Sequence, residues 1–137
     1  MAPITPLTRR KPETYSDFHK DLTISPVNFD LARKTDEESI KESIKNLVMT
    51  NRGERLFQPE IGCDVRRLLF ENIGADTVLI AKEMIKNTIK AFEPRADVVD
   101  VDVIGDLDKN AITIIIVYSV INREEPLTLS ITLDRVR

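Results

Sequence analysis

Three segments in the C-terminal third of the chain alternate apolar and polar residues with a period of two, and this pattern restricts the fold more than any other feature. Val99, Val101 and Val103 alternate with Asp100 and Asp102. Ile112, Ile114, Ile116, Tyr118 and Val120 alternate with Thr113, Ile115, Val117, Ser119 and Ile121. Leu127, Leu129, Ile131 and Leu133 alternate with Thr128, Ser130, Thr132 and Asp134. A period of two puts one set of side chains on a buried face. The polar connections, residues 106–110 and 122–125, are too short for crossovers, so the three strands are expected to form an antiparallel meander.

One face of such a meander needs cover, and the preceding sequence supplies two amphipathic helices. Thr35 and Glu38 form a capping-box pattern that starts the first. Its apolar stripe is Ile40, Ile44, Leu47 and Val48, and Asn51 and Gly53 are stop signals. Residues 51–63 read as a loop anchored to the core by Leu56, Phe57 and Ile61. A short helix follows over residues 64–70, with Asp64 at its N-cap. The second main helix runs over residues 76–92, with Ala81, Ile85, Ile89 and Phe92 at helical spacing, joined by Val78 and Met84. Pro94 ends it, because the residue before a proline is driven out of the helical region.

The expected fold class is therefore α+β: a two-layer arrangement of an antiparallel meander sheet packed by two main helices. Residues 35–137 form a single domain in this reading, and residues 1–34 form an extended N-terminal arm. The arm has prolines at 3, 6, 12 and 26, with short strands expected near residues 22–24 and 29–32. Its basic triplet, Arg9, Arg10 and Lys11, suits either a contact with an acidic partner or a solvated tail.

The middle strand is apolar on both faces, so helices, the N-terminal arm or another chain must cover its second face. The third strand carries no charge over Leu127, Thr128, Leu129, Ser130, Ile131, Thr132 and Leu133. At a sheet edge, such a strand would offer unpaired backbone groups to a partner strand.

Composition excludes several functions. Twenty basic against 23 acidic residues, a net charge of −3, leave no electrostatic footprint for nucleic acid. One Cys and one His exclude an intrachain disulfide and an ordinary Cys/His zinc site. Cys63 reads as a reduced, small core residue. The longest apolar stretch, residues 111–121, falls well short of the roughly 20 residues that span a membrane. With no signal-peptide core behind the basic triplet, an intracellular product is expected. Asp100, Asp102, Gly105, Asp106 and Asp108 resemble a cation loop, but Ile104 and Ala111 stand where ligands are needed. No cofactor or metal is implied. A carboxylate-pair glycosidase could draw on Glu54, Glu60 and Glu71, yet their spacing singles out no pair. The chain is not expected to be an enzyme.

Two charged constellations remain: Arg52-Gly53-Glu54-Arg55 after the first helix, and Glu93-Pro94-Arg95 between a helix and a strand. In the second, proline holds an acid and a base in a fixed relation. That corner suits a directional contact with another protein, or an internal ion pair pinning the turn, and the residues alone favour neither.

Several runs resemble one known family. They are Ile44-Lys45-Asn46-Leu47, Thr50, Gly53-Glu54-Arg55, Phe57-Gln58-Pro59-Glu60-Ile61-Gly62-Cys63-Asp64, Leu69-Phe70-Glu71-Asn72 and Glu93-Pro94-Arg95. In this order they resemble the small baseplate wedge proteins of contractile-tailed phages, the sheath-initiator or lysozyme-like wedge family, which has a related subunit in type VI secretion baseplates. The resemblance covers roughly residues 31–133. It implies a virion protein of the tail baseplate, assembled in the host cytoplasm, whose partners are other wedge proteins and the tail sheath protein. It implies attachment to the wedge core through Glu93, Pro94 and Arg95. It also implies a sheet that accepts sheath strands, which the third strand would serve, and so templates sheath polymerisation. The arm, whose first thirty residues match little in the family, could reach the tail tube or a neighbouring wedge. A tail lysozyme acting on the cell wall is the alternative.

Overall fold

The computed structural model describes residues 14–71, 74–106, 111–121 and 125–134. The basic triplet, the prolines at 3, 6 and 12, Asn72, Asp108 and most of the two expected turns lie outside these residues. The chain divides into two compact units, Met1–Ser39 and Ile40–Arg137, with the boundary in the first turn of a helix.

In the first unit, β1 (Ser16–Phe18) pairs antiparallel with β2 (Arg33–Thr35), Asp17 standing opposite Lys34. The strands expected near 22–24 and 29–32 are reduced to one bridge, Ile24 to Leu31. Leu22 and Phe29 adopt left-handed backbone conformations (φ 48° and 53°), which interrupt both extended runs. Thr35 does not cap the first helix, because it ends β2 opposite Ser16. Asp36 takes over the junction, with its Oδ1 accepting the amides of Thr14 (2.9 Å) and Tyr15 (3.1 Å). Helix α1 (Glu37–Met49) then starts with Glu37 and Glu38 in its first turn, where carboxylates favour the positive end of the helix dipole.

The second unit holds the core. Ile40, Ile44 and Val48 of α1 are fully buried, and Leu47 is half-buried. Helix α2 (Val65–Leu68) is one turn long. Asp64 precedes it but makes no side-chain cap; its Oδ1 instead accepts the amide of Arg52 at 3.2 Å. Helix α3 (Ala75–Phe92) buries Ala81, Ile85, Thr88 and Ile89 and packs on the first strand of the sheet. The Thr88 hydroxyl donates to the Met84 carbonyl at 2.8 Å, which satisfies a buried polar group the periodicity did not mark.

The sheet is the expected meander: β3 (Ala96–Asp106), β4 (Ala111–Val120) and β5 (Pro126–Asp134), antiparallel in the order β3-β4-β5. Ile112, Ile114, Ile116, Tyr118 and Val120 are buried, and Thr113, Ile115, Val117 and Ser119 are half-buried. The valine alternation in β3 breaks at one point. The register shifts between Val98 and Asp100, so Val98 joins Val101 and Val103 in the core while Val99 is 58% exposed. One extra residue in a strand reverses the facing of what precedes it.

The loop of residues 51–63 also departs from expectation. Leu56 and Phe57 do not anchor it; they are 92% and 96% exposed. Backbone bonds close the loop instead, Gly53 N to Pro59 O (2.8 Å) and Cys63 N to Thr50 O (2.7 Å), with Glu54 Oε2 accepting the Asn51 amide (2.9 Å). At Gly62, φ is +131° and a Cβ would lie 2.6 Å from the Thr50 carbonyl oxygen, so only glycine fits this closure. Cys63 beside it is buried, and burial raises its thiol pKa above the ordinary value. A Leu56→Ser/Phe57→Ser double variant is therefore expected to keep its unfolding midpoint, with stability within about 0.5 kcal/mol of the parent. Urea titration checks this; a clear loss would show that the loop tip packs on the core.

Candidate interaction surfaces

The Glu93-Pro94-Arg95 corner forms where α3 ends. Glu93 leaves the helix (φ −127°, ψ 76°) while its amide still reaches the Ile89 carbonyl at 2.8 Å. Pro94 is exposed, and the Arg95 carbonyl accepts the Ile121 amide at 3.0 Å, tying the corner to the end of β4. The side chains of Glu93 and Arg95 turn toward each other. Arg95 Nε and Nη2 donate to the two Glu93 carboxylate oxygens at 2.6 and 2.7 Å. This is a bidentate pair, the strongest geometry an arginine offers a carboxylate. Glu93 is 2% exposed. Burial alone would raise its pKa, but hydrogen bonds from Arg95 and from Ser43 on α1, together with the guanidinium charge, outweigh this and hold the carboxyl below its ordinary range. The internal ion pair left open by the sequence is thus present. Its exposed parts are Pro94 and the 27% of the Arg95 side chain that reaches solvent.

The two edges of the meander differ. On β3, Asp100 Oδ1 accepts the Val101 amide (2.9 Å) and Asp102 Oδ1 accepts the Val103 amide (3.0 Å). These amides therefore point away from β4, and acidic side chains already occupy them. Lys82 of α3 pairs with Asp102 at 2.9 Å and lowers its pKa. The apparent cation-loop acids Asp100 and Asp102 thus cover two outward amides of the β3 edge, and among the described residues no group of His, Cys, Asp and Glu could hold a metal.

The backbone alternation continues across the sheet. If Val101 and Val103 turn away from β4, their partners Ile116 and Ile114 direct their amides to β5, opposite Leu129 and Ile131. The amides of Thr128, Ser130 and Thr132 then face the far side of β5, where no strand pairs among the described residues. Leu129, Ile131 and Leu133 are buried and Leu127 is half-buried, so their side chains face the core. Thr128, Ser130 and Thr132 line the open edge. Neither the bidentate pairing nor the difference between the edges was legible in the spacing of residues.

The carboxylates considered for glycosidase chemistry are engaged one by one or exposed. Glu54 holds the Asn51 amide, Glu71 lies 3.8 Å from Arg67, and Glu60 is exposed. Glu93 and Asp102 are held low, the opposite of what a general acid needs.

Solved structures of the same fold occur in baseplates. The chain aligns with a component of the cryo-EM baseplate of the anti-feeding prophage at TM-score 0.62 and 20% identity, over 86% of this chain and 83% of that one. It aligns with a component of the type VI secretion baseplate complex at TM-score 0.57 and 15% identity, over 72% and 93%. At these identities the likeness is one of fold. The chain belongs to the baseplate wedge protein gp25 family, whose model matches residues 34–125. It is 33% identical over 111 residues to the baseplate wedge protein gp25 of Enterobacteria phage T4, covering 81% of this chain and 83% of the relative. A Geobacter sulfurreducens crystal structure, named for a proposed tail lysozyme, aligns at TM-score 0.66 and 26% identity, over 74% and 92%. The chain is thus a structural baseplate component of phage type.

Proposed function

We propose that this protein attaches to the core of the baseplate wedge through the Glu93-Pro94-Arg95 corner and starts the contractile sheath by accepting a sheath strand along β5. The observation that carries this reading is the asymmetry of the meander: on β3 Asp100 and Asp102 cover two outward amides, and β5 presents the amides of Thr128, Ser130 and Thr132 without charge. Solitary proteins blunt such edges, and a templating protein needs one. Residues 35–137 act as the sheath-initiator domain, and residues 1–34 serve as an arm to the tail tube or a neighbouring wedge. Assembly takes place in the host cytoplasm and the product is the virion tail.

The test is sheath growth on purified baseplates with and without this protein. Baseplates lacking it are expected to start no sheath, and adding the protein back is expected to restore growth. Normal sheath on baseplates without it would overturn the templating reading.

A further inference from the structure

A groove of about 690 Å³ opens where β5 ends. It is lined by Thr132, Leu133 and Asp134 of β5, by Arg66, Arg67, Leu69 and Phe70 in and after α2, and by Met49, Asn51 and Asp64. The groove continues the open edge, since Thr132 carries the last outward amide of β5 whose neighbours are described. We propose that it is a specificity pocket for the strand that adds to β5, taking from it one apolar side chain and a neighbouring carboxylate. This rests on the templating reading and adds to it the chemistry of the incoming segment.

An extended chain bonded to β5 would place alternate side chains on the face that already holds Leu129, Ile131 and Leu133. Past Thr132 the next such side chain meets Leu133 on one side and Leu69 with Phe70 on the other. Phe70 is 68% exposed, so an apolar side chain entering there removes aromatic surface from water. The charges set its neighbour. Arg67 is 82% exposed and lies 3.8 Å from Glu71, a loose contact, and Arg66 is exposed beside it on α2. Asp64 is engaged with the Arg52 amide. Asp64 and Asp134 both line the groove and repel an arriving carboxylate where they stand, so it is drawn to the exposed arginines instead. The preferred segment is therefore extended, apolar at alternate positions, and acidic where it crosses α2.

The experiment uses complete baseplates and purified sheath protein. An Arg66→Glu/Arg67→Glu variant is expected to fold normally, since both side chains are exposed, and to start at least about tenfold fewer sheaths. A photo-crosslinking residue, p-benzoylphenylalanine, at position 70 is expected to label the sheath protein within a segment that pairs an apolar residue with Asp or Glu. Replacing that acid by Lys should restore growth on the charge-reversed variant. Parental sheath numbers on the charge-reversed variant, or labelling of a protein other than sheath, would overturn the pocket while a working Ser130→Pro block left templating standing. Normal growth with Ser130→Pro would overturn both.

Discussion

Ser130→Pro is expected to stop sheath growth on baseplates that are otherwise complete. The Ser130 amide faces the open side of β5, so its removal breaks no bond to Ile115, its partner on β4. Proline is tolerated at such edge positions, and the variant should unfold cooperatively near the parental midpoint. The loss falls on the incoming strand. One of its carbonyls would be left without a donor, which costs about 2 kcal/mol once the edge is covered. That is roughly a thirtyfold weakening of the first docking step, and the ring also holds the partner backbone away. Ser130→Ala keeps the amide and should nucleate sheath like the parent. Counting sheathed tails by electron microscopy separates the outcomes. Sheath of normal number and length on the proline variant would show that β5 is not the template.

The meander, the two helices and their buried stripes were legible because each follows from one period and short connections. Ile114, Ile116, Leu129 and Ile131 lie in the core as their alternation requires. What was not legible depended on bonds that periodicity does not encode. The bulge at Val99 is a register event set by pairing with β4. The exposure of Leu56 and Phe57 follows from a loop closed by its own backbone, with Gly62 fitting against Thr50. The corner was legible only as a pair of alternatives, because charged residues are seldom fully buried unless paired, and the pairing is a matter of rotamers. Ser43, which completes that corner, sits three residues after Ile40 on the buried side of α1. That spacing is the one sequence signal that could have drawn attention to it.

The buried corner changes what a mutation there can report. Arg95→Ala leaves the Glu93 carboxylate buried with Ser43 as its remaining side-chain donor. Breaking a buried pair in this way is expected to cost about 3 kcal/mol, the lower end of the usual range because Arg95 keeps some exposure. For a domain of this size that is a midpoint lower by roughly 10 °C. Acid should narrow the gap. The pair holds the folded Glu93 pKa below its unfolded value, so its stabilisation is fully present above the ordinary glutamate range and is lost as pH falls through the lowered folded value. Without Arg95, burial raises the carboxyl, which then protonates early and relieves the variant. Parent and variant midpoints should therefore converge as pH falls below about 4. A gap unchanged at acid pH would mean that Arg95 stabilises by packing alone. Failure of the single variant to enter wedges would consequently confuse misfolding with a lost contact. Glu93→Gln/Arg95→Ala removes both charges and is expected to recover most of the stability. If Arg95 holds the wedge core, this double variant folds and still stays out of wedges in a pull-down with the other wedge proteins. Normal incorporation would make the corner a brace between helix and sheet, and attachment would have to be sought elsewhere on the domain.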